Sequence, residues 1–214
     1  MTMRFNVRSL ILVAAVLAVS PTSAGAQDLD AACVALGNGG VGAWAEQRMQ
    51  GSLGTIDMRF ALVSTRGATW YEITAVNEQG SSIIQLEVPG FPFRPDQIES
   101  AVTKTGVTPA VIIPDAVLQQ YKSTAMSGPL SDIEAQCRTA QVIGAEDVTV
   151  TAGSFPTTHL RFADGGDVWV SADVPFGIVR GVVARQGTLE LLSFGSGATG
   201  SITETPLSLS GNGN

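Results

Sequence analysis

From residue 54 to residue 88, apolar and polar side chains take turns along the chain. Ile56, Met58, Phe60 and Leu62 alternate with Asp57, Arg59 and Ala61, a period of two that predicts a strand with one buried face. Thr69–Val76 is rich in aromatic and β-branched residues and follows an Arg66-Gly67 turn. Ile84, Leu86 and Val88 alternate with Gln85 and Glu87 after a Gln79-Gly80 turn. The connections are too short for parallel crossovers, so these runs read as an antiparallel meander. A second set follows the middle of the chain. Val148 and Val150 precede an Ala152-Gly153 turn, and Leu160 and Phe162 alternate with His159 and Arg161. Asp164-Gly165-Gly166 marks the next turn, and Val168 and Val170 flank Trp169. Ile178–Ala184 and Thr188–Phe194 are separated by Arg185-Gln186-Gly187.

The segments before and between these meanders have a different pattern. Leu29, Cys33 and Leu36 recur at helical spacing until Gly37-Asn38-Gly39-Gly40, and Ala43–Met49 reads as two further helical turns. Pro89, Pro92 and Pro95 exclude a central strand. Asp96 is placed to cap a short helix through Lys104, and Val111–Ile113 reads as a short strand. Pro114 opens a helix through Met126. Ser131-Asp132-Ile133-Glu134 fits a capping box, predicting a helix that carries Cys137. The expected fold is α+β: a curved antiparallel sheet (a half-barrel) of about 8–11 strands covered by short helices from the middle of the chain.

The ends read as something other than this fold. Arg4 and Arg8 precede an uninterrupted apolar run, Leu10–Val19, and Ala24-Gly25-Ala26 follows. This is the layout of a secretory signal over residues 1–26, cleaved near Ala26. An uncleaved anchor is the alternative, but ten helical residues cover only about half of a roughly 30 Å hydrocarbon core. The expectation is a periplasmic or secreted chain with no stable membrane insertion and a single half-barrel domain over 27–194. Residues 195–214 contain five Gly, four Ser and one charge without periodicity, which predicts a flexible Gly/Ser-rich tail.

Charge narrows the partners. Loss of residues 1–26 takes Arg4 and Arg8 from the 12 basic side chains and none from the 19 acidic ones, moving the net charge from −7 to −9. That disfavours nucleic acid and anionic membrane surfaces. One histidine and two cysteines leave no ligand set for structural zinc. Outside the cytosol, Cys33 and Cys137 read as a disulfide closing a loop of about 105 residues; two buried thiols are the alternative. Cys33 follows Asp30-Ala31-Ala32 and lies seven residues past the expected cut, so it does not read as a lipid-attachment cysteine.

Motifs for catalysis are weak. Gly37-x-Gly39-x-x-Gly42 matches a dinucleotide fingerprint literally, but its preceding segment is helical in pattern where a strand is required. His159 is the single available imidazole and lacks a G-x-S-x-G elbow; Ser154 and Asp164 are near it only in sequence. It reads as an exposed sheet residue. Asp164 and Asp167 flank two glycines and read as a hairpin turn, short of the oxygen set that calcium needs. No metal site, cofactor or catalytic residue is expected. The large apolar side chains read either as core or as the lining of a pocket, and Phe60, Trp70, Phe91, Phe93, Trp169 and Phe176 are the groove candidates.

Val148–Phe155 with its Ala152-Gly153 turn, the Trp169 strand, Val174-Pro175-Phe176-Gly177-Ile178-Val179 and Glu190–Phe194 together resemble bacterial envelope proteins of unknown function. Their sheet is similar to the lipoprotein-carrier (LolA/LolB-like) half-barrel. Met58–Val63 and Trp70-Tyr71-Glu72 resemble the first strands of that group. The resemblance implies a cavity for acyl chains under a helical cover and an arginine that holds the closed state, with Arg59 as the candidate. The expected function is a non-enzymatic periplasmic protein that binds a lipid, a lipidated protein or another apolar ligand in its groove. The alternative is a structural or protein-interaction module of the envelope without a ligand cavity. A secreted hydrolase is a distant third.

Overall fold

Short turns between alternating segments leave each strand free to pair with its sequence neighbour, and that is how the sheet grows. The computed structural model describes residues 24–52, 54–126, 133–183 and 187–208. Helix α1 (Ala24–Leu36) is followed by strands β1 (Trp44–Gly51), β2 (Gly54–Thr65), β3 (Ala68–Asn77) and β4 (Gly80–Glu87). A 3-10 turn (Pro95–Gln97) leads to β5 (Ala101–Thr105), β6 (Val111–Ile112), α2 (Asp115–Met126) and α3 (Ile133–Arg138). The chain ends in β7 (Gln141–Val150), β8 (Gly153–Arg161), β9 (Asp167–Val170), β10 (Ile178–Val183), β11 (Gly187–Gly195) and β12 (Leu207–Ser208). All twelve strands belong to one curved, unclosed sheet in the order β12-β6-β5-β4-β3-β2-β1-β11-β10-β9-β8-β7. Among the described residues only β12 pairs in parallel, with β6. The α+β half-barrel expected from the periodicity is the fold observed. Of the expected signal segment only Ala24–Ala26 are described, as the start of α1; the Ser131-Asp132 start of the capping box and the Arg185-Gln186 turn lie outside the described residues.

Three segments differ from expectation. Ala43–Met49 was read as helix, yet Trp44–Gly51 is the strand that joins the two meanders. β1 pairs β2 on one side and β11 on the other, so ladder hydrogen bonds on both edges outweigh helix propensity. Its Arg48 lies across from Asp57 on β2 and holds it by two hydrogen bonds of 2.7 and 2.8 Å. Asp96–Lys104 was read as a helix; only the 3-10 turn forms, and Ala101–Thr105 is β5. There Ala101 faces one side of the sheet opposite Leu86 and Val102 faces the other opposite Gln85, an arrangement a helix cannot provide. The helical cover also includes α1 from the start of the chain, besides α2 and α3 from the middle.

The third difference is the largest. Residues 195–208, expected as part of a flexible tail, lie against the convex face of the sheet. Ile202 is buried among Ala61, Val63, Trp70, Val102 and Ala110. Ser201 donates its N–H to Glu72 Oε2 at 2.8 Å and its hydroxyl to Oε1 at 2.6 Å. Lys104 pairs with Glu204 at 2.5 Å. The sheet is therefore covered on both sides in its first half. Phe60 and Leu62 of β2 face the concave core, while Ala61 and Val63 face the segment from the C-terminal end.

The concave side holds two apolar clusters. α1 and α3 cover the β8–β9 end through Ala32, Ala35 and Leu36, packed with Leu160, Val168 and Val170. The Cys33–Cys137 disulfide, with Cα atoms 5.6 Å apart, ties the two helices together. Gly177, at φ +73°, lets the β9–β10 turn approach α1: a Cβ there would sit 2.6 Å from the Ala35 carbonyl oxygen. At the far end the sheet curls until the β7–β8 tip meets β11. Ala152 N–H donates to the Leu191 carbonyl at 3.3 Å, Thr151 bonds Glu190, and the Phe155 ring meets Phe194 edge-on at 5.7 Å.

On the face of β8 and β9 turned away from α1, Asp167 accepts from Arg161 Nε at 2.8 Å and lies 3.0 Å from His159 Nε2. The hydrogen bond from the Arg161 guanidinium holds its carboxyl below the ordinary range; desolvation opposes this, and the imidazole adds to the lowering. A carboxyl whose folded pKa is depressed stabilises the fold above its unfolded pKa and loses that contribution as pH falls through the folded value. Urea midpoints therefore fall as pH drops below about 4, and Asp167→Asn flattens that decline relative to the parent chain. Asp57, held down by Arg48, supplies part of the slope that remains.

Candidate functional site

Aromatic side chains at inward positions of β2 and β3 meet others from two loops and form a floor on the concave face. Phe60 and Tyr71 come from paired strands with ring centroids 6.2 Å apart. Phe91 and Phe93 come from the proline-flanked segment after β4, and Phe176 from the turn before β10. Tyr71 is the hub: Phe91 stacks on it at 5.5 Å, while Phe93 and Phe176 meet it edge-on at 5.2 and 5.9 Å. Desolvation by these neighbours raises the Tyr71 phenol well above its usual value. Phe176 adopts φ +63°, a conformation that costs a bulky residue about 1–3 kcal/mol. Its ring contact with Phe91 at 4.9 Å and its N–H bond to the Asn38 carbonyl at 2.6 Å hold it there. The Gly37–Gly42 loop closes over both rings. At Gly39 a Cβ would stand 2.7 Å from Phe176 and 3.1 Å from Phe91, so glycine permits the approach.

Helix α2 roofs this floor. Leu118 is 2% exposed and packs into the aromatic cluster, whereas Val117 and Tyr121 on the same helix are 53% and 47% exposed. Beside the floor, a cleft of about 520 Å³ opens between α1, α3 and the Phe91–Phe93 segment. Cys33, Val34, Leu36 and Pro92 form its apolar walls, with Asp30 and Arg138 at its charged positions. Pro92 borders the cleft, and its neighbours Phe91 and Phe93 belong to the floor, so the two features adjoin.

Four of the six expected groove residues thus come together: Phe60, Phe91, Phe93 and Phe176. Tyr71 belongs with them and was missed, although its position opposite Leu62 on β2 puts it on the same face. Trp70 and Trp169 do not join them. Trp70 faces the convex side under Ile202, its indole N–H on the Thr65 carbonyl at 3.1 Å. Trp169 is half-buried and packs against the apolar cluster of the floor, but its ring meets no floor aromatic: His159 stacks on it at 4.2 Å and Arg180 lies 5.6 Å from the ring. Arg59, the candidate closing arginine, is also on the convex face, over Trp44 at 5.1 Å and 3.9 Å from Glu72. It cannot reach the concave side.

The chemistry around His159 is that of a packed ladder. Its side chain is 12% exposed, less open than expected, because Trp169 covers one ring face. Its nearest acids are Asp167 and Glu146 at 3.0 and 3.5 Å. Ser154 bonds Thr149 and Asp164 accepts the Gly166 N–H, so both sequence neighbours serve the hairpin turns. Among the described residues no three His, Cys, Asp or Glu side chains are grouped to hold a metal ion, and no helix is long and apolar enough to cross a membrane.

No protein-family model matches the sequence, and no curated protein matches it. Among solved structures the chain is similar to a "putative lipoprotein" from Parabacteroides distasonis, at 12% identity and a TM-score of 0.34, over 75% of this chain and 98% of that one.

Proposed function

We propose that the protein is an exported, non-enzymatic envelope protein that binds an apolar ligand, a lipid or the acyl chain of a lipidated partner, between the aromatic floor and helix α2. The observation that carries this reading is the five-ring floor on the concave face of an unclosed sheet, roofed by a helix through the buried side chain of Leu118. Export rests on the basic start, apolar run and Ala24-Gly25-Ala26 of the sequence. The adjoining cleft is the route by which a chain reaches the rings. Burial of apolar surface at about 25 cal/mol per Å² supplies the affinity, and strand curvature supplies the shape.

A ligand that binds the folded state alone raises its stability by about 2.7 kcal/mol at one hundred times Kd. Thermal unfolding with added lysophospholipid is expected to shift upward in proportion to the logarithm of lipid concentration. Phe91→Ala with Phe93→Ala abolishes the shift while leaving the sheet intact by circular dichroism. An unchanged midpoint at every lipid concentration overturns the reading.

One observation favours a second reading, an interaction module with no ligand space. The rings contact one another directly, Phe91 against Phe176 at 4.9 Å, so the floor fills its own hollow. Under that reading lipid leaves the midpoint in place, and the double alanine variant lowers it with or without lipid.

A further inference from the structure

The convex face contains a second site with no relation to the aromatic floor. Glu72 and Gln85 are each 0% exposed, and both sit on the outer face of the β3–β4 pair. Arg66 donates to Gln85 Oε1 at 2.6 Å, which orients the amide so that Nε2 donates to Glu72 Oε2 at 2.6 Å. Arg66 is itself fixed over the Trp70 ring at 4.3 Å. This relay leaves the remaining acceptor capacity of a buried carboxylate aimed at whatever lies across the face.

What lies there is residues 198–207, and each contact reads a separate feature of an extended peptide. Glu72 takes the backbone N–H and the hydroxyl of Ser201. The next side chain, Ile202, enters an apolar pocket and is 1% exposed. Two residues on, Glu204 meets Lys104. The main chain then joins the sheet edge, with Leu207 N–H on the Ala110 carbonyl at 2.8 Å and Leu207-Ser208 alongside Val111-Ile112. Main-chain pairing at an edge combined with side-chain pockets is how sheets recognise extended peptides. The segment has no hydrophobic period of its own. Its order comes from the groove.

We propose that this face is a peptide-recognition groove, selective for an extended segment with serine, an aliphatic residue and an acid at positions i, i+1 and i+3, and that the chain's own residues 198–207 occupy it as a built-in ligand. A partner polypeptide with the same pattern competes for the groove when the segment lifts away. Binding in cis benefits from a high effective concentration, so the intact chain masks the site.

The test uses the full chain and a fluorescent peptide of residues 197–208. Ile202→Asp expels the cis segment by placing a carboxylate in the apolar pocket formed by Ala61, Val63, Trp70, Val102 and Ala110. Fluorescence anisotropy is expected to show saturable peptide binding to this variant at least tenfold tighter than to the parent chain. A peptide carrying Ser201→Ala and Ile202→Asp is expected to lose at least tenfold. Should Ile202→Asp prevent folding, Glu204→Lys in the full chain, which loosens only the Lys104 contact, gives the same comparison. Equal binding by parent and variant, or equal binding of the altered peptide, overturns the proposal.

Discussion

Urea unfolding with the Cys33–Cys137 bridge reduced is expected to lose about 4–5 kcal/mol relative to the oxidised protein. The two cysteines are 104 residues apart, and the loop they close contains β1 to β6 and α2. Cross-linking so long a loop removes about 4.7 kcal/mol of chain entropy from the unfolded state. The folded state changes little, because Cys137 is 0% exposed beside Leu36 and Leu160 and a thiol remains a small apolar group there. Paired urea curves with and without reductant, followed by tryptophan fluorescence, measure the difference. The oxidised curve should also have the lower slope, since a tethered unfolded chain exposes less surface. Coincident curves would show that the bridge constrains nothing.

Glu72→Ala is expected to cost about 3–5 kcal/mol, the range for removing one member of a buried charged network. Gln85 Nε2, Ser201 N and Ser201 Oγ all donate to this carboxylate at 2.6–2.8 Å. Alanine leaves three donors without an acceptor, each costing about 1–3 kcal/mol when shielded from water. It also uncouples the C-terminal segment, so amides from Ser201 to Leu207 should exchange by local opening, faster than those of β3 and β4. Ser201→Ala removes one hydroxyl and is expected to cost about 1 kcal/mol. Equal protection of the segment in Glu72→Ala and the parent would mean that Ile202 alone anchors it.

The strands were legible because period two is enforced wherever one face is buried and the other wet. The same rule explains what was missed. Phe60-Ala61-Leu62-Val63 is four apolar residues in a row, and Trp70-Tyr71 is two aromatic ones. Such runs signal a strand covered on both faces, and the cover is the segment that composition alone marked as a tail. Trp70 was placed in the groove by residue type, whereas its parity along β3, opposite to that of Tyr71, puts it on the convex face under Ile202; Trp169 packs against the apolar cluster of the floor but its ring contacts are His159 and Arg180. β1 was hidden because Ala43–Met49 is a fair helix by propensity and becomes a strand through partners on both edges, β2 next in the chain and β11 more than a hundred residues away. Phe91, Phe93 and Phe176 were legible as a set because proline and glycine exclude their segments from the sheet while their rings still need cover.

Native mass spectrometry of the protein purified without detergent bears most directly on ligand binding at the aromatic floor. The account predicts a polypeptide mass beginning at Gln27 together with an adduct of acyl-chain mass, present in the parent and absent in the Phe91→Ala, Phe93→Ala variant. A bare polypeptide mass in the parent, unchanged after incubation with lipid, would contradict it.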